Sequence, residues 1–255
     1  MNTLNTNILK CVAFDLDGTI YFGSRQLAPR AQDVIDFARK KFGRVCFITN
    51  NSALTRYQVY QRLCQLGVSV DEDEVLNSSY LISRYLISNK INNVWCIGTE
   101  NLCQELKVNG IEPKSENPDA IVIGYDYNFA LPYIEEALKV YNPKCQIIVA
   151  NIERAYPRDN GILTPGTGAI AAAFLHTVNR TDSVILGKPN ILMIDTVAKM
   201  YNLAAEEILI VGDTYESDIQ MAETYGAQSV LIKNNDKKEY PCNSVPMLQD
   251  LLNIL

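Results

Sequence analysis

Short runs of Val, Ile and Leu that are apolar at nearly every position constrain this chain more than any other feature. CVAFDL (11–16), RVCFITN (44–50), NVWCIGT (93–99), AIVIGYD (120–126), QIIVA (146–150), SVILG (183–187), EILIVGD (207–213) and SVLIK (229–233) all have strand length. A strand covered on one face alternates apolar and polar residues. One covered on both faces does not, and double covering belongs to parallel sheets flanked by helices. The intervening segments supply those helices. RAQDVIDFARKKFG (30–43) follows Pro29 and ends on Gly, and LTRYQVYQRLCQLG (54–67) also has helical spacing and a Gly stop. TIYFGSRQL (19–27) reads as a short hairpin turning at Gly23-Ser24. The expected fold class is therefore α/β, with a doubly wound parallel sheet.

At 255 residues the chain has room for a core domain and a smaller second one. Breaks fall near NSSY (77–80) and RTDSV (180–184). A net charge of −6, without a Lys/Arg-rich run, leaves counterion-driven binding to nucleic acid or an anionic membrane little to work with. The N-terminus lacks a basic segment followed by an apolar one, and the longest apolar stretches are too short to span a bilayer. Seven scattered cysteines without a C-x-x-C point to free thiols and a cytoplasmic, reducing location.

Four of the strand ends carry polar residues that a sheet alone does not need, and ligands of open α/β sheets bind at the carboxyl ends of strands. The first is DLDGT, where Asp15 and Asp17 share one face of an extended chain and crowd two anions together. The second is FITNNS, with Thr49, Asn50 and Asn51 offering hydroxyl, amide and turn N–H groups to anionic oxygens. The third is GKPN, which sets Lys188 between a strand and a helix as a point charge suited to phosphate. The fourth is GDTYESD, with Asp213 at a strand end and Asp218 five residues on. Singly, each has a bland reading as a turn former, a cap or a solvated charge. In this order, all at strand ends, they make coincidence a poor explanation.

DLDGTI, FITNNS, GKP and GDTYESDI resemble motifs I to IV of the haloacid dehalogenase-like hydrolase superfamily. The long separation between the second and third motifs, and the segments AIVIGYDYNF and IIVANIERAYPRDNGILTPGTGAIAAA, resemble its class IIA, the NagD-like and nitrophenyl phosphatase-like enzymes. The resemblance implies a Rossmann-like core at 1–80 and 184–255 with an inserted α/β cap of the C2 type at 81–183. It implies a phosphatase acting on a small phosphorylated metabolite, and self-association through the cap. By the same resemblance Asp15 is the nucleophile that forms an aspartyl-phosphate. Asp17 is the acid for the leaving oxygen and then the base for water. Mg²⁺ is held by Asp15, the main-chain carbonyl of Asp17 and Asp213. Thr49, Asn50 and Asn51 bind phosphoryl oxygens, and Lys188 balances charge. Asp218 orders either the metal's waters or Lys188. Tyr156 in the cap loop 151–161 contacts substrate or packs as a turn aromatic, with Tyr125 and Asp126 as lesser candidates. Thr214 departs from the Arg or Ser of many relatives.

The acid at Asp17 separates phosphoryl transfer from dehalogenation, because a halide leaves without a proton and an alkoxide does not. A phosphoacceptor module such as a receiver domain also uses clustered acids, a Thr and a Lys, but is about half this length and needs no acid at Asp17. GTGAIA (166–171) fits a loose dinucleotide pattern, yet follows a turn-rich segment rather than a long strand, so a close helix packing or cap is the better reading. His176, the only histidine, sits on the following helix without catalytic partners nearby in the sequence, which disfavours Ser-His-Asp chemistry.

Overall fold

The structure is a computed structural model that describes residues 4–23, 26–157, 162–234 and 236–255. The chain divides into two compact units, one of residues 1–49, 60–76 and 188–255, the other of residues 50–59 and 77–187.

The first unit is built on a six-stranded sheet. Its order is Ser244–Val245, Gln228–Ile232, Ile208–Gly212, Cys11–Asp15, Arg44–Thr49 and Val75–Asn77. Cys11 pairs in parallel with Ile208 on one side and with Arg44 on the other. Cys11, Val12, Ala13 and Phe14 are all fully buried, as the unbroken apolar run requires. From Cys11–Asp15 the chain runs outward to Arg44–Thr49 in one direction, and later returns to build Ile208–Gly212 and Gln228–Ile232 in the other. That reversal is the topological switch point, where adjacent strands feed loops to opposite sides and leave a crevice at their carboxyl ends. Asp15 ends one of the two strands that flank it, and Asp213 follows the other.

The helix Ala31–Phe42 buries Ala31, Val34, Ile35, Ala38 and Phe42, one face at helical spacing. It stops at Gly43, whose φ of 88° lets its N–H return to the Arg39 carbonyl. The expected hairpin forms between Tyr21–Phe22 and Gln26–Leu27; Ser24 of its turn lies outside the described residues.

The second unit has its own parallel sheet, in the order Val184–Ile185, Gln146–Val149, Ala120–Ile123 and Val94–Ile97. Ile121, Ile123, Ile147 and Val149 pack with Phe174 and Ile134 from its helices. Here the boundaries read from sequence shift. A division at 183/184 would put Val184–Ile185 in the core, yet it pairs with Gln146–Val149, and the compact unit extends to Gly187. A short apolar run looks alike whichever sheet it completes, so sequence pattern could not assign it. The unit also starts at Asn77 rather than at residue 81, and takes residues 50–59 with it.

Gly166 and Gly168 show why GTG is small. A Cβ on Gly166 would lie 2.4 Å from the Glu153 carbonyl oxygen, and one on Gly168 would lie 2.6 Å from that of Ile152. The pair is a close packing of the strap 151–154 on the first turn of the helix Thr167–Thr177. His176 is exposed on that helix. All seven cysteines are free thiols, and only Cys64 is exposed. Among the described residues no helix is long and apolar enough to cross a membrane.

Candidate active site

At the switch point of the first unit, Lys188 draws two acids together. Its Nζ donates to Asp15 Oδ1 at 2.5 Å and to Asp218 Oδ1 at 2.6 Å, and all three side chains are almost fully buried. Asp218 reaches this position from the turn Tyr215–Ile219, and its Oδ2 accepts the Thr214 N–H at 3.2 Å. Thr214 is exposed and its hydroxyl donates to Asp213 Oδ1 at 3.2 Å.

Two glycines make room for these carboxylates. Gly18, at φ 87°, lies so close to Asp213 that a Cβ there would sit 2.1 Å from Asp213 Oδ2. A Cβ on Gly212 would lie 2.3 Å from Asp218 Cγ. The Gly of DLDGT and the Gly of GDT are therefore spaces that acids fill. Gly18→Ala combines a left-handed backbone with that overlap, so it is expected to cost about 1–2 kcal/mol or more and to displace Asp213. Chemical denaturation and metal titration of the variant check this; wild-type values in both would remove the steric argument.

Asp17 is exposed beside this cluster. Its Oδ2 accepts the Tyr21 hydroxyl at 3.3 Å and the Thr49 hydroxyl at 3.5 Å, so Asp17 and Thr49 meet as neighbours. Asn234, at φ 48°, donates from Nδ2 to the Gly18 carbonyl at 2.6 Å and braces the same loop. Tyr21 and Asn234 were not anticipated; in sequence each looks like an ordinary core aromatic or turn residue.

The other expected residues lie in the second unit. Asn50 is buried and its Nδ2 donates to Glu153 Oε1 at 2.8 Å. Asn51 uses Oδ1 to accept the N–H groups of Ala53 and Leu54, both at 3.0 Å, which is the turn-forming role of a short amide. Tyr156 lies on Ala155–Pro157, paired with Leu163–Pro165, and residues 158–161 of its loop fall outside the described residues. Its hydroxyl donates to that of Tyr125 at 2.6 Å, with the rings edge to face. Asp126 is buried and accepts the Asn128 N–H at 2.8 Å.

The electrostatics of the first-unit cluster are those of excess negative charge. Burial, reinforced by Asp218 and Asp213 and opposed by Lys188, pushes the Asp15 carboxyl well above the usual range. Asp213 is pushed up to about 7, by burial first and then by Asp218. Burial by itself would lower Lys188, but Asp15 and Asp218 override it and raise it. Asp15, Asp213 and Asp218 each bring one carboxylate oxygen within 4.8 Å of the others, and Asp15 Oδ2 is buried with no hydrogen-bond partner among the described residues. Hard oxygen ligands, surplus charge and an oxygen lacking a donor fit a divalent cation. Asp218 belongs to this acid cluster as well as to Lys188.

Residues 12–112 match a family model described as haloacid dehalogenase-like hydrolase, and residues 185–250 match one described as HAD-hydrolase-like. The sugar-phosphatase AraL of Bacillus subtilis is 28% identical over 89% of this chain and 84% of its own length. The 5'-nucleotidase YutF of the same organism is 26% identical over 92% and 94%. The p-nitrophenyl phosphatase structure from Archaeoglobus fulgidus superposes with a TM-score of 0.88 at 27% identity, over 97% of this chain and 99% of the other. With Asp15 and Asp213 at the strand ends of the switch point, Lys188 bonded to Asp15 and a second α/β unit inserted in the chain, the chain belongs to the haloacid dehalogenase-like hydrolases, in the NagD-like, nitrophenyl phosphatase group, and is a phosphatase.

Proposed function

We propose that this phosphatase hydrolyses small phosphomonoesters, such as sugar phosphates or nucleoside monophosphates, with Mg²⁺ and through an aspartyl-phosphate. The observation that carries the reading is Asp15, buried at the switch point, its Oδ1 held by Lys188 and its Oδ2 without a hydrogen bond from any described residue. Asp15 attacks phosphorus, the bond from phosphorus to the ester oxygen breaks, and Asp17 gives that oxygen its proton. Asp17, exposed and within reach of Thr49 and Tyr21, then takes a proton from water. The water oxygen attacks phosphorus, inorganic phosphate leaves and Asp15 is restored. Mg²⁺, held by Asp15, the Asp17 carbonyl and Asp213 with Asp218 at hand, supplies neutralisation of phosphoryl charge when bound.

Lys188 keeps Asp15 oriented and balances its charge, while Thr49 and the residues that directly follow it, Asn50 and Asn51, take phosphoryl oxygens. The inserted unit acts as a cap that selects the leaving group, with Tyr156 and Tyr125 as its contacts. A sugar-phosphatase and a 5'-nucleotidase among the relatives support the two ester classes. Free thiols throughout suit a reducing cytoplasm, and self-association would run through the inserted unit.

Release of inorganic phosphate from a panel of esters, with Mg²⁺ and with chelator, tests the proposal. Release is expected with Mg²⁺ and is expected to fall by at least about 100-fold in chelator. A folded, Mg²⁺-supplied chain that releases phosphate from no ester in the panel would overturn it.

A further inference from the structure

Glu153 is an exposed residue whose geometry is unusually constrained. Its N–H donates to Asn151 Oδ1 at 3.1 Å, and its carbonyl accepts the Gly168 N–H at 2.9 Å from the first turn of a helix. The next carbonyl, of Arg154, accepts the Gly166 N–H at 2.9 Å. With its backbone so fixed, the Glu153 carboxylate accepts Asn50 Nδ2 at 2.8 Å. Asn151, itself buried, donates from Nδ2 to the Asn50 carbonyl at 2.8 Å. The strap 151–153 thus holds Asn50 by main chain and side chain together.

Asn50 also packs on Gly187. Gly187 donates to the Ala150 carbonyl at 2.7 Å, and a Cβ on it would lie 2.5 Å from Asn50 Oδ1 and 2.6 Å from the Ala150 oxygen. Asn50 follows Thr49, and Gly187 precedes Lys188, so one knot fixes the residues next to both. We infer that Glu153 is a positioning residue: through Asn50 it sets the placement of the phosphate-binding segment 49–51. The inference rests on the phosphatase reading above and adds to it a residue outside the four motifs.

A carboxylate is suited to this task because a charge-assisted bond to an amide N–H is shorter and stronger than a neutral one. Misplacement of a binding group by a fraction of an ångström lowers the rate of the chemical step more than it weakens substrate binding. Gln at 153 keeps an oxygen that accepts from Asn50; Ala keeps none.

The test measures kcat, KM and melting temperature for Glu153→Ala, Glu153→Gln, Asn50→Ala and the Asn50→Ala/Glu153→Ala pair, on an ester that the wild-type chain hydrolyses. Expected are a kcat about tenfold lower in Glu153→Ala with KM changed by less than about twofold, and recovery of most of that loss in Glu153→Gln. The double variant is expected to be no slower than Asn50→Ala, because Glu153 acts through Asn50. Wild-type kcat in Glu153→Ala, a Gln variant as slow as the Ala variant, or losses that multiply in the pair would each overturn the inference. Where Glu153→Ala unfolds, the pair is lost with it and Glu153→Gln decides alone: a Gln variant that melts like the wild type yet has a kcat about tenfold lower would overturn the inference. A wild-type chain inactive on every ester overturns the proposed function and this role with it; an active one isolates the test to Glu153.

Discussion

Asp15→Asn is expected to reduce phosphate release by about 10⁴-fold or more without lowering the melting temperature in chelator. The amide lacks the anionic oxygen that attacks phosphorus, and removal of a covalent nucleophile leaves only the binding contribution to the rate. The expectation for stability follows from the surroundings of Asp15. Burial, Asp218 and Asp213 raise its carboxyl well above the unfolded value against the pull of Lys188. An acid raised in the folded state is one whose ionised form opposes folding at pH values above its unfolded pKa. Asn is neutral at every pH, so it removes that penalty, and Lys188 keeps its bond to Asp218. Phosphate release and thermal melting on the same preparation give both numbers. A variant that turns over at the wild-type rate would sink the covalent route, and one that melts far lower would sink the electrostatic account of the cluster.

Lys188→Met is expected to cost about 3–5 kcal/mol of stability at neutral pH in chelator, besides abolishing turnover. Met fills a similar volume but leaves Asp15 and Asp218, both buried, without their shared ammonium. The deficit should shrink as pH falls, because protonation of Asp15, whose carboxyl burial already raises, removes an anion that the lysine had answered. Denaturant midpoints at neutral and at mildly acidic pH measure it, and Lys188→Met/Asp218→Asn, with one fewer orphaned charge, should recover part of the loss. A single variant as stable as the wild type would mean that the buried pair contributes nothing to folding.

The two largest effects thus fall on residues that sequence alone picked out, and the reason is local. Asp15, Asp17, Lys188 and Asp213 each follow or end an apolar run, and a run covered on both faces can be read without knowing its neighbours. Gly43 as a helix stop and the GTG segment as a close packing were legible because glycine has few other uses there. What could not be read is relational. Val184–Ile185 joins the second sheet because of a partner at Gln146–Val149, and nothing in VIL names that partner. Gly18 and Gly212 look like turn glycines until Asp213 and Asp218 are seen against them. Glu153 looks like a solvated charge until its backbone is found fixed and its carboxylate on Asn50, a residue more than 100 positions earlier.

The placement of Cys11–Asp15 between Arg44–Thr49 and Ile208–Gly212 also sets an order of events during synthesis. The pairing with Arg44–Thr49 becomes available early, but the partner on the other side is roughly 200 residues away and is among the last strands made. Closing so long a loop is slow, and domains of a growing chain fold as their residues emerge. The four strands of the second unit's sheet, which lie between Val94 and Ile185, are complete before that partner exists, so the later module assembles first and the earlier one waits. Until Ile208–Gly212 arrives, one edge of Cys11–Asp15 is an unpaired template for other strands. Asp15 likewise stands apart from Asp213 and Asp218 until that step. The acid cluster is thus a product of the final stage of folding, and a nascent chain released early would carry the nucleophile without the groups that make it one.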